Sequence, residues 1–65
     1  MNKLKQLRKK EKLTQGKIAK YIGVTQQAYS YFETEQSKPS LETAKKIADF
    51  FKVPMEEIFF DNNNN

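Results

Sequence analysis

The stretch Leu13-Thr14-Gln15-Gly16-Lys17-Ile18-Ala19-Lys20-Tyr21-Ile22-Gly23-Val24-Thr25-Gln26-Gln27-Ala28-Tyr29-Ser30-Tyr31-Phe32-Glu33 decides how the chain folds. Before Gly23, residues Ile18, Ala19 and Ile22 recur at the spacing of one apolar helix stripe, and Thr14 is placed to cap a helix that runs to about Ile22. Gly23 supplies the left-handed stop. After it, Thr25 caps a further helix of about residues 26–33, so that Gly23, Val24 and Thr25 alone separate the two. Helices joined by so short a turn must cross sharply. The start of the earlier helix is weakened, since Gly16 lowers helix propensity by about 1 kcal/mol relative to alanine and Lys17 replaces the acid of a capping box.

The helix over 26–33 has two chemically different faces. At about 100° per residue, Ala28, Tyr29 and Phe32 fall on one side, and Gln26, Gln27, Ser30 and Tyr31 fall on the other. The first set suits packing against the preceding helix. The second presents two amides, a hydroxyl and a phenol near a helix N-terminus. Glutamine can bond to adenine N6 and N7 together, serine can donate or accept, and an aromatic edge can touch a thymine methyl. A solvated polar face is the plain alternative, and position argues against it, because Thr14, Gln15 and Lys17 stand at the N-terminus of the neighbouring helix, where backbone amides and short polar groups bind phosphate. Gln26, Gln27, Ser30 and Tyr31 are therefore the candidate base contacts. Thr14, Gln15, Lys17, Lys20, Thr25, Ser37 and Lys38 are the candidate phosphate contacts.

Outward from this segment the chain continues as helix. Leu4 and Leu7 lead to Leu13 across a lysine-rich stretch, which predicts a first helix over about residues 2–11. Thr34 to Ser40 is a polar loop in which Pro39 drives Lys38 toward an extended conformation. Ser40 caps a fourth helix whose apolar face is Leu41, Ala44, Ile47, Ala48 and Phe51. Pro54 opens a short fifth helix, with Glu56 and Glu57 suited to its positive end and Ile58 and Phe59 pointing inward. Residues 61–65 form a polar, low-complexity tail expected to be disordered, so residues 1–60 are the domain.

Composition narrows the function. The chain of 65 residues carries 12 Lys+Arg against 8 Asp+Glu, a net charge of +4. Residues 1–31 hold eight basic side chains and one acid, whereas residues 32–65 hold four bases and seven acids. An anionic partner should meet the first half. With no cysteine and no histidine, thiol nucleophiles, zinc knuckles and the usual neutral-pH base are excluded. The scattered acids form no nucleophile and base constellation, and no enzymatic activity or cofactor is expected. No apolar run approaches the roughly 18 residues of a membrane span, and Leu4 and Leu7 are too little for the lysine-rich helix to insert. A cytoplasmic protein, on the nucleoid when bound to DNA, is the expectation.

Leu7-Arg8, Leu13-Thr14-Gln15, Ile18-Ala19, Ile22-Gly23-Val24-Thr25, Phe32-Glu33 and Lys38-Pro39-Ser40-Leu41-Glu42-Thr43 resemble, in order and spacing, the helix-turn-helix domain of phage repressor and Cro proteins, the XRE family. The resemblance covers about residues 3–60. It implies an all-α, compact five-helix, lambda-repressor-like DNA-binding domain. It implies further that Gln26, Gln27 and Tyr31 read base edges, that Gln15 meets a phosphate, and that Arg8 and Glu33 form an orienting salt bridge between the first helix and the end of the third. An exposed pair of that kind would contribute only about 0–1 kcal/mol. Aromatics at 29 and 32, where the family more often has Ile or Val, imply a repacked core. The loop after Glu33 also departs from the family, having Thr34, Glu35 and Gln36 where a glycine and basic residues are usual. Either the loop turns differently or phosphate binding depends more on Lys9, Lys10, Lys17 and Lys20.

A domain this short buries only about 60% of its unfolded surface, which favours a partner subunit. Val53, Ile58, Phe59 and Phe60 are the candidate contact of a homodimer, as the same region is in related repressors. The resulting expectation is a dimeric, sequence-specific regulator that binds double-stranded DNA, most simply a repressor. An antitoxin-like module that binds a protein partner is the alternative, favoured by the shortage of cations in the 34–38 loop.

Overall fold

A computed structural model describes residues 2–59, and every regular element among them is helical. In chain order these are α1 (Leu4–Lys10), α2 (Gln15–Ile22), α3 (Gln26–Thr34), α4 (Leu41–Phe51) and α5 (Met55–Phe59). Phe60 and the 61–65 tail lie outside the described residues, so the expectations that fall on them carry no structural statement.

Three helices start as their sequences predict. The hydroxyls of Thr14, Thr25 and Ser40 accept the backbone N–H groups of Lys17, Ala28 and Thr43 at 3.1, 3.0 and 3.1 Å. Each satisfies one of the N–H donors that a helix start leaves without an intrahelical partner. The first helix is shorter than its pattern suggests. The Asn2 carboxamide accepts the Leu4 N–H at 3.1 Å and donates to the Phe32 carbonyl at 2.8 Å, which holds residue 2 outside the helix and ties it to α3. At the other end Lys12 turns to a left-handed φ of 59°, so the helix stops at Lys10.

Three helix C-termini close in one way. Gly23 has φ 82°, the Val24 N–H reaches the Ala19 carbonyl at 3.0 Å, and the Gly23 N–H reaches Lys20 at 3.3 Å, the double bond of a Schellman motif. At the end of α3, Glu35 takes φ 66°, and Gln36 and Glu35 donate to Tyr31 and Phe32. At the end of α4, Lys52 takes φ 61° and Val53 donates to Ala48. The loop after α3 therefore makes the usual turn without its usual glycine. A left-handed non-glycine residue costs about 1–2 kcal/mol, which the recovered carbonyl bonds and the packing of the following segment offset.

The core is one cluster contributed by all five helices: Leu4, Ile18, Ala19, Ile22, Tyr29, Phe32, Ile47, Ala48, Phe51 and Ile58. Full burial of such a side chain is worth about 1.5–3 kcal/mol, so these positions hold the fold. Tyr29 and Phe32 occupy it edge to face, with ring centroids 6.4 Å apart, the repacking that two aromatics on α3 require. α2 packs most extensively on α3, and the Lys3 N–H donates to the Ile58 carbonyl at 3.0 Å, which closes α5 onto the start of the chain.

Leu41 departs from its pattern. It continues the apolar stripe of α4 but is 68% exposed, because the first turn of α4 extends past the core and Leu41 instead lines a groove with Pro39, Met55 and Phe59. Ile58 points inward, as the pattern of the fifth helix predicts. It is 1% exposed within the single chain and is removed from the set of candidate dimer contacts, while Val53 and Phe59 stay half-buried.

Replacing Gly23 by alanine puts a Cβ on a left-handed residue at the corner between α2 and α3. The variant should lose about 1 kcal/mol or more of stability in urea denaturation, and an unchanged midpoint would show that the corner is not held in this conformation.

Candidate nucleic-acid interface

α3 is held by a polar junction on its inner side. The Arg8 guanidinium of α1 donates through Nε to Glu33 Oε2 at 2.6 Å and through Nη2 to Glu33 Oε1 at 3.3 Å. Its Nη1 donates to the Leu13 carbonyl in the connection to α2 at 2.9 Å. Gln15, the first residue of α2, donates its amide to Glu33 Oε1 at 3.1 Å. One carboxylate thus joins three helices. The Arg8 and Glu33 side chains are only 12% and 3% exposed, so this is not the solvated pair that would contribute almost nothing. A forked guanidinium and carboxylate contact fixes direction as well as distance.

The charges around the junction follow from that cover. Burial pushes the Glu33 carboxyl up, but the hydrogen bonds from Arg8 and Gln15 outweigh it, and the group titrates below its ordinary value. The bond to Glu33 raises the Arg8 value in turn. The Tyr29 hydroxyl is buried and makes no well-formed hydrogen bond among the described residues. Burial first, and then Glu33, hold its proton on beyond the usual tyrosine range.

The outer side of α3 is free of these constraints. Gln26, Gln27 and Tyr31 are exposed on it, and Ser30 is half-buried. The Gln27 amide donates to the Tyr31 hydroxyl, one turn on, at 2.9 Å. Lys17 and Lys20 are exposed on α2, and Ser37 and Lys38 are exposed in the loop that follows α3. Thr14 and Thr25 spend an oxygen lone pair on their caps and keep the hydroxyl proton to donate. Gln15 commits one amide proton to Glu33 and keeps the other to donate.

Two residues gain a place that their sequence context did not suggest. Asn2 clamps the end of α3, a contact 30 residues away along the chain that no local pattern reports. Gly16 lies beneath the end of the Gln26 side chain, and the only sign in the sequence is a glycine inside a helix with no turn to explain it. Among the described residues there is no group of three or more metal-ligating side chains, and no helix is long and apolar enough to cross a membrane.

Comparison with known proteins bears on what this surface meets. A helix-turn-helix family model matches residues 4–58. An uncharacterized helix-turn-helix transcriptional regulator of Methanocaldococcus jannaschii is 47% identical over 58 residues, covering 89% of this chain and 88% of that protein. The cryptic phage CTXphi transcriptional repressor RstR of Vibrio cholerae is 36% identical over 98% of this chain and 58% of its own length. The transcriptional activator BcrR of Enterococcus faecalis is 38% identical over 86% of this chain and 28% of its own length.

The depressed Glu33 carboxyl gives the junction a pH signature. Its contribution is complete above the ordinary glutamate value of 4.5 and is lost as the pH falls through the lower native value. Glu33→Gln should therefore cost about 1–3 kcal/mol near neutral pH. Urea denaturation at about pH 7 and about pH 3 should show the gap to the unaltered chain closing in acid. An equal gap at both would mean that the Glu33 charge adds nothing to folding.

Proposed function

This chain belongs to the helix-turn-helix family of DNA-binding transcriptional regulators, and we propose that it acts there as a dimeric repressor that reads a two-fold symmetric operator through α3. The observation that carries the reading is the outer face of α3, where Gln26, Gln27 and Tyr31 project from a helix whose other side is pinned by Glu33. In a major groove each glutamine can pair with an adenine edge, and the Tyr31 ring can meet a thymine methyl with Ser30 beside it. Around them the Thr14 and Thr25 hydroxyls, Lys17 and Lys20, Ser37 and Lys38, and the second amide proton of Gln15 supply donors for the flanking phosphates. Those contacts set register and the glutamines set sequence.

A symmetric operator needs a second copy of the chain. Val53, Met55 and Phe59 are the half-buried apolar residues of the α5 region, and Val53 and Phe59 with Phe60 are the surface proposed for self-association. Two α3 helices related by such a contact should lie about 34 Å apart, one turn of DNA. RstR, which aligns with nearly the whole chain, is named a repressor, and this supports the negative sign of regulation. The protein so described works in the cytoplasm, on the nucleoid.

Selection of bound duplexes from a random pool at about 150 mM salt, where phosphate binding alone is weakened, should enrich a two-fold symmetric sequence. On that sequence Gln27→Ala should cost about 1–3 kcal/mol and on random DNA almost nothing. Failure to enrich any sequence would reject base readout and direct the search to a protein partner. Sedimentation should show a dimer that Phe60→Ser weakens, whereas an unaffected dimer would place the contact elsewhere.

A further inference from the structure

Gly16 is the second residue of α2, and unlike Gly23 it needs no left-handed backbone. A glycine at an ordinary helical position weakens the helix and gains nothing conformationally. Its surroundings supply the reason. A Cβ at residue 16 would stand 3.2 Å from Gln26 Oε1 and 3.8 Å from Gln26 Cδ, and it would meet nothing else within 4 Å beyond its own helix backbone and chain neighbours. The absent side chain leaves a notch that the Gln26 carboxamide occupies.

The notch has a fixed position. Gln15, next to Gly16 in the first turn of α2, donates to Glu33 near the end of α3 at 3.1 Å, so the start of α2 is tied to α3. Gln27 is placed differently, by its bond to Tyr31 within α3. The two exposed glutamines at the start of α3 therefore have separate supports, Gly16 for one and Tyr31 for the other.

We propose that Gly16 is a specificity-determining positioning residue, which seats the Gln26 carboxamide at the height and angle from which it reads its base pair. This rests on the reading of Gln26 as a base contact. A carboxamide that pairs through both its oxygen and its nitrogen must lie in the plane of the base, and hydrogen bonds weaken steeply as that alignment is lost. A methyl group at 16 shifts the Gln26 oxygen by a few tenths of an ångström, and a larger side chain evicts it from the notch.

The test is a cycle of Gly16→Ala, Gly16→Leu, Gln26→Ala and the Gly16→Leu/Gln26→Ala double variant, each assayed on the selected operator and on duplexes altered at one base pair at a time. Alanine and leucine both favour helix, so the variants fold. Gly16→Leu should reduce discrimination about fivefold or more at the base pair that Gln26→Ala affects, with Gly16→Ala intermediate and the Gln27 position unchanged. In the Gln26→Ala background Gly16→Leu should add no further loss. In the free domain the Gln26 side-chain amide resonances should move in both Gly16 variants while those of Gln27 stay in place. A Gly16 effect that is uniform over all sequences, or that persists without Gln26, overturns the proposal. If Gln26→Ala itself leaves every base preference intact, base reading by Gln26 has failed, and the role of Gly16 falls with it.

Discussion

The contact between Arg8 and Glu33 is the constraint on which the rest of the domain depends. α3 has nine residues, too few to be stable alone, and its buried side offers only Tyr29 and Phe32 to the core. Those two rings hold the helix down without fixing its direction. Direction comes from the Glu33 carboxylate, which receives α1 through the fork of Arg8 and α2 through the amide of Gln15, while the same guanidinium holds the Leu13 carbonyl. A covered charge left without one of these donors has no water to replace it, so the junction forms as a unit. Once it forms, the outer face of α3 has one orientation relative to the N-terminus of α2.

This arrangement separates holding from reading. Apolar groups, the junction of Arg8, Glu33 and Gln15, the Asn2 clamp and the caps fix the helices, while Gln26, Gln27 and Tyr31 face outward. Gln26 and Gln27 are exposed and lie outside the apolar core that carries the stability. The charge distribution follows the same division. The lysines of α1 and α2 place most of the positive charge on the first half of the chain, where an anion is attracted at long range.

Much of this was legible because its causes are local. A threonine or serine three residues ahead of the N–H it caps, and a glycine where a left-handed residue is needed, are signals read within one turn, and Thr14, Thr25, Ser40 and Gly23 all behave accordingly. The inward turn of Tyr29 and Phe32 follows from helical period alone. What escaped the sequence depends on neighbours distant along the chain. Glu35 and Lys52 adopt the left-handed turn that glycine would signal, because the packing of the next helix decides it. Leu41 fits the apolar period of α4 and still faces outward, since period does not say where the core ends. The pairing of Arg8 with Glu33 could be expected, but its cover, and the diversion of Gln15 toward it, required the three helices to be placed together.

The most direct test of a recognition helix held outward by this junction is chemical-shift mapping of the isotope-labelled domain during titration with duplex DNA. The account predicts the largest changes at the first turns of α2 and α3, including the side-chain amides of Gln26 and Gln27, with the core of α4 and α5 unchanged. Changes concentrated on α4 and α5, or confined to the lysines of α1, would contradict it.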